Sequence, residues 1–452
     1  VVRQINKTSL TVAILSMAAL FMMIAYVYLS GPAPYAVATV TDSINAEWTS
    51  GLPLAEGVRI ATNSKSIQLT HGVVKLITEE NVELVLEAPT EFKFVSYSEI
   101  ALSYGKLFAR VSEMGSGFSV VTPNSRIVDL GTEFGVLSGI DGNTQVYMYK
   151  GKANIFAGEK RKRKTSQLLT AGNAVKIESH EADIQDISLD EQAIIRNIDS
   201  ETELIWRGQH TLRLGDLLLG GNGFGTAPQR SIEYDVETGD AVAASGAVLK
   251  YRKGPGKLVA ITDSPYLDSI FVPGSGDTAM PISTEGHQFR DCPETSGLFY
   301  SNACFYRNWT FFDSLQQTFE ASHKQFSDSG MLYLHSDLGL TIDLNAIRRA
   351  APGLELSSFS AFAGIIRVGD TSVEESKFAE ADVWVLVDGQ VRSSRKALRA
   401  DEGYGIDVPL SAGDRFLTLV VTDGGKEYST KNPANYYDTC GFAEPVFTVS
   451  GR

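Results

Sequence analysis

A chain of 452 residues is long enough for two or three domains, and a content of 43% hydrophobic and 10% aromatic residues is that of a folded protein. With 54 acidic against 40 basic residues the formal charge is -14, which works against a broad phosphate-binding surface and excludes nucleic acid as the expected partner. The cysteines, Cys292, Cys304 and Cys440, are too few for a disulfide scaffold; at most one bridge is expected, with Cys292 to Cys304 the local candidate.

The chain opens on Val1 rather than Met and is expected to continue upstream. Leu10 to Leu29, LTVAILSMAALFMMIAYVYL, is twenty residues without a charge. At 1.5 Å rise per residue it extends about 30 Å, the thickness of a bilayer's hydrocarbon core. This predicts a single transmembrane helix over 8–30 behind a cytoplasmic stub, 1–7. Arg3 and Lys7 precede the span and the next basic residue is Arg59, so the positive-inside rule places the N-terminus in the cytoplasm. Residues after about 30 are then expected in the periplasm, beyond the inner membrane. Ala36-Val37-Ala38 has the form of a signal-peptide cleavage site, but the apolar run exceeds the roughly 7–15 residues of a signal core, and a retained anchor is the expectation.

From 36 to 177 short strands follow one another: VVKLI (73–77), NVELVLEA (81–88), EFKFVS (91–96), EIALSY (99–104), GKLFARV (105–111), GFSVV (117–121), TQVYMY (144–149) and GKANIF (151–156). Apolar residues alternate, as in Val82/Leu84/Leu86, and Gly recurs at the turns, where it permits positive φ. An all-β unit is predicted, either a sandwich or a stacked β fold. The basic run Lys160 to Lys164 lies where a hairpin tip is expected and reads as a solvated loop. Residues 178–205 turn acidic and mixed; they read as a linker with a short helix over Ser188–Ile198, Ser188 capping it and Glu191 three residues on. A second strand-rich region, 206–452, contains KLVAIT, SIFVP, MLYLHS, GLTIDL, DVWVLVDG, GIDVPL and RFLTLVVTDGG, with LNAIRRA (344–350) as a helical turn or two. This predicts a β-sandwich.

Catalytic signatures are sparse. His71, His180, His210, His287, His323 and His335 stand singly, without the spacing of a metal motif, and no metal or cofactor is expected. His71 reads as a turn residue, and His287 and His335 as buried hydrogen-bonding groups. GGNGFG (220–225) lacks the Lys-Ser/Thr of a phosphate loop and reads as a flexible turn, and no G-x-S-x-G is present. Carboxylates are numerous enough for a glycosidase-like pair about 5–9.5 Å apart to arise by accident, which leaves a hydrolase as the weakest alternative.

Aromatic and Asx residues of the second region carry more information. Trp309, Phe311, Phe312, Trp384, Tyr404, Tyr436 and Tyr437 are mixed with Asp388-Gly389, Asp423-Gly424-Gly425, Asn435 and Asp438. Aromatic faces stack on sugar rings and Asp or Asn side chains direct hydroxyls, so Tyr436, Tyr437, Asp438, Asp423, Asn435, Asp388 and Trp384 form a candidate glycan site. For Trp384, between Val383 and Val385, core packing is the favoured reading, and for Asp388-Gly389 a hairpin turn. Tyr436 and Tyr437 fall in a Pro/Asn/Asp-rich loop and are expected to be exposed.

GFSVVTPNSRIVDLGTEFGV (117–136), TQVYMYKGKANIF and LLTAGNAVKI together resemble the FecR domain, the pattern falling on Phe118, Val120, Thr122, Pro123, Asp129, Leu130, Gly131, Thr132, Phe134, Val136, Gly151, Leu169, Gly172 and Ala174. AEWTSGLPLAEGVRI and LEAPTEFKF fit the longer form found in planctomycete-type surface proteins. Within the opening motif, Val120, Val128, Leu130, Phe134 and Val136 are expected to pack, Pro123 and Gly131 to turn the chain, and Asp129 with Thr132 to tie the turn. The second region resembles the NPCBM family, a carbohydrate-binding module with a galactose-binding-like sandwich, through SIFVP, STEGHQF, ETSG, GLTIDLNAIR, ADVWVLVDGQ, DRFLTLVVTDGG and DTCGFAEPVF. Near the end, Asp438, Phe442, Glu444 and Pro445 match the family pattern, whereas Thr439 replaces its Trp and Ala443 its Gly.

The resemblance implies a single-span envelope regulator of anti-sigma type. Its outer β domain would sense an outer-membrane transducer, and a cytoplasmic part upstream of Val1 would hold an extracytoplasmic-function sigma factor. The sandwich would bind a polysaccharide. A non-signalling surface scaffold that binds carbohydrate is the alternative.

Overall fold

The computed structural model describes residues 7–30, 34–49, 55–62, 65–158, 165–179, 183–202, 204–227, 231–243, 252–274, 279–299, 302–306, 315, 330–366, 379–423 and 438–451. It consists mostly of β-strands in several antiparallel sheets and divides into two compact units, Val1–Ile198 and Asp199–Arg452.

The first unit begins with helix α1 (Lys7–Ser30), 24 residues of backbone helix whose described side chains are exposed, Phe21 at 75% and Met17 at 69%. Side chains are described only between 11 and 23, and within the described residues no helix is long and apolar enough to cross a membrane.

Among the described residues thirteen strands follow: β1 (Ala36–Trp48), β2 (Arg59–Ala61), β3 (Ile67–Thr78), β4 (Val82–Ser96), β5 (Glu99–Val111), β6 (Ser119–Val121), β7 (Ser125–Asp129), β8 (Glu133–Ser138), β9 (Thr144–Lys150), β10 (Lys152–Ala157), β11 (Thr165–Thr170), β12 (Ala174–Ile177) and β13 (Ile184–Ile187). β1, β3, β4 and β5 form an antiparallel meander, and the sheet then forks along β5. Glu99–Ala101 pair in parallel with β6, while Gly105–Arg110 pair with β8, so the two branches can face each other across one core. Phe92, Phe94, Phe118, Phe134, Val120, Ile127 and Ile155 fill that core. Alternation thus marks which face is wet. On the wet face, opposed residues Glu83, Arg110, Glu133 and Lys150 alternate in sign across β4, β5, β8 and β9. Arg110 lies 2.8 Å from Glu83 and 3.3 Å from Glu133.

The motif at 117–136 is a packing and turn device. Phe118, Val120, Phe134 and Val136 are fully buried. Asp129, also fully buried, accepts a hydrogen bond from the Gly131 N–H at 2.8 Å and another from the Thr132 hydroxyl. Burial nonetheless raises its carboxyl above the usual range, offset by those bonds. Thr122, Asn124, Ser125 and Thr144 form a buried polar network, Thr122 Oγ1 lying 2.9 Å from Thr144 Oγ1, and the Asn124 amide donates to the Ile177 carbonyl at 3.1 Å. Leu130 departs from expectation: it is 41% exposed, because the tied turn points position 130 away from the core. Asp129→Ala is expected to cost about 2–3 kcal/mol, the cost of buried donors losing a carboxylate acceptor. Urea unfolding would measure it, with Asp129→Asn milder because the amide oxygen still accepts.

The expected helix over Ser188–Ile198 is absent. β13 pairs with β12, a turn covers 191–194, and extended chain follows. Ile194, Ile195 and Ile198 have helix-like spacing, yet they are buried on the sheet. Bare Gly135 leaves room for Ile194, whose Cδ1 lies 2.5 Å from where a Cβ would stand. Arg196 covers the Tyr149 ring at 4.2 Å. Residues 160–164 lie outside the described residues; the flanking β10 and β11 pair as a hairpin.

In the second unit we distinguish β14 (Thr211–Arg213), β15 (Ile232–Tyr234), β16 (Ala241–Ala243), β17 (Leu258–Ala260), β18 (Leu267–Phe271), β19 (Ala303–Tyr306), β20 (Met331–His335), β21 (Leu338–Asp343), β22 (Leu354–Ile365), β23 (Glu380–Val387), β24 (Gln390–Arg399), β25 (Gly403–Pro409), β26 (Phe416–Thr422) and β27 (Thr439–Gly451). One sheet has the order β16-β15-β19-β20-β27-β22-β25 with β14 also on β27; the other is β17-β18-β21-β26-β23-β24. Phe359, Phe442 and Phe447 from the first sheet share a core with Leu340, Val383, Val385 and Leu419 from the second. The short helices α2 (Leu214–Leu218) and α3 (Leu344–Ala350) flank it, α3 capped by Asp343, which accepts from the Ala346 N–H.

GGNGFG is pinned rather than flexible. Asp216 Oδ2 accepts from the Gly223 N–H at 2.7 Å and Oδ1 from the Ala227 N–H at 2.8 Å, winding the loop round one buried carboxylate. The Cys292 to Cys304 bridge is not formed: both are free, Cys292 packing on the outer side of the second sheet and Cys304 on that of the first.

Candidate functional site

At one end of the second unit the strands terminate in carboxylates. β20 passes into β21 through Ser336-Asp337, β26 ends against Asp423, β23 begins at Glu380 with Asp382 close behind, and β27 begins after Asp438. Asp337 holds this rim together from a left-handed conformation, φ 62°, which Asp tolerates better than most residues. Its Oδ1 accepts from the Asp423 N–H at 3.2 Å, and its Oδ2 accepts from the Leu298 N–H at 3.1 Å.

Ser296 joins the two acids. Its hydroxyl lies 2.9 Å from Asp337 Oδ2 and 2.8 Å from Asp423 Oδ2. One hydroxyl carries one proton, so it satisfies both contacts fully only when one carboxyl is itself protonated. Burial, and then the neighbouring Asp423 charge, push Asp337 up to about 7. Cys292 faces Asp337 from the adjacent segment; burial first, then that charge, raise its thiol to about 12. Asp382 is raised by burial while accepting from the Ala397 N–H at 2.8 Å.

Asp438 is fully buried, its Oδ1 accepting from the Glu380 N–H at 2.8 Å and its carbonyl from the Ser336 N–H at 2.8 Å. Asp423 and Asp438 are therefore both tied into the same rim. Asn435, Tyr436 and Tyr437 lie outside the described residues, as do Trp309, Phe311 and Phe312.

The other proposed sugar contacts are placed elsewhere. Trp384 is only 5% exposed. Its ring meets Phe289 at 5.4 Å, with Lys396 Nζ 5.2 Å from a ring centroid, and its Nε1–H donates to Thr422 Oγ1 at 3.1 Å. No ring face is open for a sugar. Asp388 occupies the β23–β24 turn with φ 49°, followed by Gly389 at 81°, and its Oδ1 accepts from the Phe416 N–H at 2.8 Å. It sits at the opposite end of β23 from Asp382, roughly 20 Å away at the rise of a strand. Trp384 thus sits in the packed outer side of the sheet and Asp388 in a hairpin turn, the readings favoured for them from sequence, and Asp423 and Asp438 make internal hydrogen bonds at the rim.

Sequence reasoning missed Asp337 and Ser296. A lone Asp between MLYLHS and GLTIDL does mark a tight turn, but its pairing with Asp423 spans 86 positions. His287 and His335 take hydrogen-bonding roles: His287 Nδ1 lies 3.0 Å from Ser283 Oγ and His335 Nδ1 2.9 Å from the Ser336 carbonyl. Among the described residues no cluster of His, Cys, Asp and Glu suits a metal ion.

No protein-family model and no curated protein matches the chain. Solved structures give distant likenesses. A candidate anti-sigma factor from Parabacteroides distasonis is similar at 18% identity and TM-score 0.25, over 28% of this chain and 62% of its own. The chain thus spans less than two thirds of that protein. CBM51 of GH95 from Clostridium perfringens, solved with methyl-galactose, is similar at 13% identity and TM-score 0.21, over 45% of this chain and 94% of the module. The tandem CBM51 modules of a family 98 glycoside hydrolase from Streptococcus pneumoniae are similar at 11% identity and TM-score 0.24, over 92% and 99%.

Proposed function

We propose that the chain is a membrane-anchored envelope protein that binds a glycan through the second unit and relays that state as an anti-sigma-type regulator. The observation that supports the binding role is the rim: Asp423 and Asp438, both internally tied there, flank in sequence the stretch bearing Asn435, Tyr436 and Tyr437. The aromatic and amide side chains of that stretch suit sugar stacking with directed hydroxyl contacts. In this reading α1 crosses the inner membrane and both β units lie in the periplasm, in keeping with Arg3 and Lys7 ahead of the apolar run. The protein acts by binding, without turnover.

Detergent-solubilised chain is expected to be retained on a polysaccharide affinity gel. Tyr436→Ala with Tyr437→Ala should weaken retention on the order of ten- to a hundredfold, as the loss of two aromatic contacts implies. Failure across a broad glycan panel would turn the rim into a protein-contact surface, and glycan hydrolysis abolished by replacing one carboxylate would make the protein an enzyme. The regulatory half is tested by co-purification of a sigma factor with the full-length gene product.

A further inference from the structure

The end of the first unit that receives the chain from α1 also gathers exposed apolar side chains from three loops. Outside α1, the exposed large apolar residues described in this unit are Val95, Tyr97, Met114, Leu130, Ile140 and Leu168. Val95 lies at the end of β4, and Tyr97, Met114 and Leu130 lie on loops stitched together by backbone hydrogen bonds. The Ser119 N–H donates to the Ser98 carbonyl at 2.8 Å, Asp129 to Phe118 at 2.9 Å and Val111 to Thr132 at 2.9 Å. Met114 is 78% exposed on the short turn between β5 and β6, and Leu130 is held outward by the Asp129 tie.

The chain arrives at the same place. Tyr35, immediately before β1, stacks on Tyr97 with ring centroids 4.5 Å apart. α1 ends at Ser30, and five residues of chain reach at most about 18 Å. Beside Tyr97 lies a groove of about 540 Å³ lined by Ala36, Arg59, Glu79 and Glu80, with Arg59 paired to Glu79.

We propose that this rim rests on the membrane, with Tyr97, Met114 and Leu130 at the headgroup level of the leaflet from which α1 emerges. The proposal rests on the reading of α1 as the anchor. Amphipathic tyrosines and an unbranched methionine suit that boundary, and surface apolar groups clustered beside an anchor gain more from it than from water. One arginine against two glutamates fits a zwitterionic headgroup rather than an anionic one, so contact should not require anionic lipid.

The test uses the whole chain in phosphatidylcholine nanodiscs, carrying Tyr97→Trp, Met114→Trp or Leu130→Trp, read as the fluorescence difference from the unsubstituted chain. Ile140→Trp is the control. It lies beyond Ser138, which pairs with Gly105, about 20 Å along β5 from the rim. Brominated lipid is expected to quench the indoles introduced at 97, 114 and 130 but not at 140, equally with and without added anionic lipid. A chain that fails to incorporate would overturn the anchor and this contact together. A chain that incorporates with all rim indoles unquenched would overturn the contact alone. Rim indoles that shift to the blue only as protein concentration rises would assign the face to a second copy and likewise overturn it.

Discussion

Trp384→Ala is expected to lower the stability of the second unit by about 3–5 kcal/mol, the range for deleting a large aromatic side chain from a packed interior. Val383 and Val385 face the inner core while Trp384 and Leu386 face the outer side of the same sheet, where Phe271, Met280, Ile282, Phe289 and Val420 cover them. The strand is buried on both faces, which is why DVWVLV shows no polar alternation. Removing the indole opens a cavity against Phe289 and deprives the Thr422 hydroxyl of its donor. Trp384→Phe keeps part of the volume and should cost appreciably less. Urea unfolding followed by circular dichroism measures both. Folded Trp384→Ala protein should keep its polysaccharide retention, which separates this core residue from Tyr436 and Tyr437. Stability left intact with retention lost would return Trp384 to the binding surface.

The contrast between Trp384 and Leu130 shows what the sequence makes legible. Strand alternation identified the buried set in the first unit because Phe92 and Phe94, or Val82 and Leu84, answer to a local period. Leu130 broke the pattern because its direction is set by the Asp129 turn, not by the strand. The Ser188–Ile198 segment misled for a related reason: isoleucines at helical spacing also suit an irregular chain lying on a sheet, and the gap left by Gly135 decides between them. The rim of the second unit was hardest to read. Asp337, Ser296 and Asp423 come from three separated segments, and only the sandwich topology brings them together. Asp423 and Asp438 were singled out as candidate ligand contacts, and their backbone and carboxylate ties within the rim were not legible from sequence.

The second unit is also expected to lose stability as pH rises from about 4 to about 7. Asp337 is fully buried and holds its proton up to about 7, against 3.8 for the free side chain. Between those values the folded state binds more protons than the unfolded chain, so unfolding becomes easier with each increment of pH. The stabilisation is complete below the unfolded value and lost once pH passes the folded one. Its slope is at most about 1.4 kcal/mol per pH unit, a few kcal/mol in all. Around the pair, Cys292 stays a neutral thiol throughout this window, while Asp382 is raised by burial and shifts in the same direction. Asp423→Asn removes the like charge yet keeps an amide oxygen that can accept from Ser296. Asp337 should then titrate lower, the fall in stability should finish at a lower pH, and the protein should be more stable than wild type at pH 8. Glu444, raised to about 8 mainly by burial, extends the decline toward that value, and Glu444→Gln should remove its share without moving that of Asp337. Urea midpoints recorded from pH 4 to 9 for the three proteins separate the contributions. An Asp423→Asn curve superimposable on wild type would show that the two acids do not share their charge at the rim.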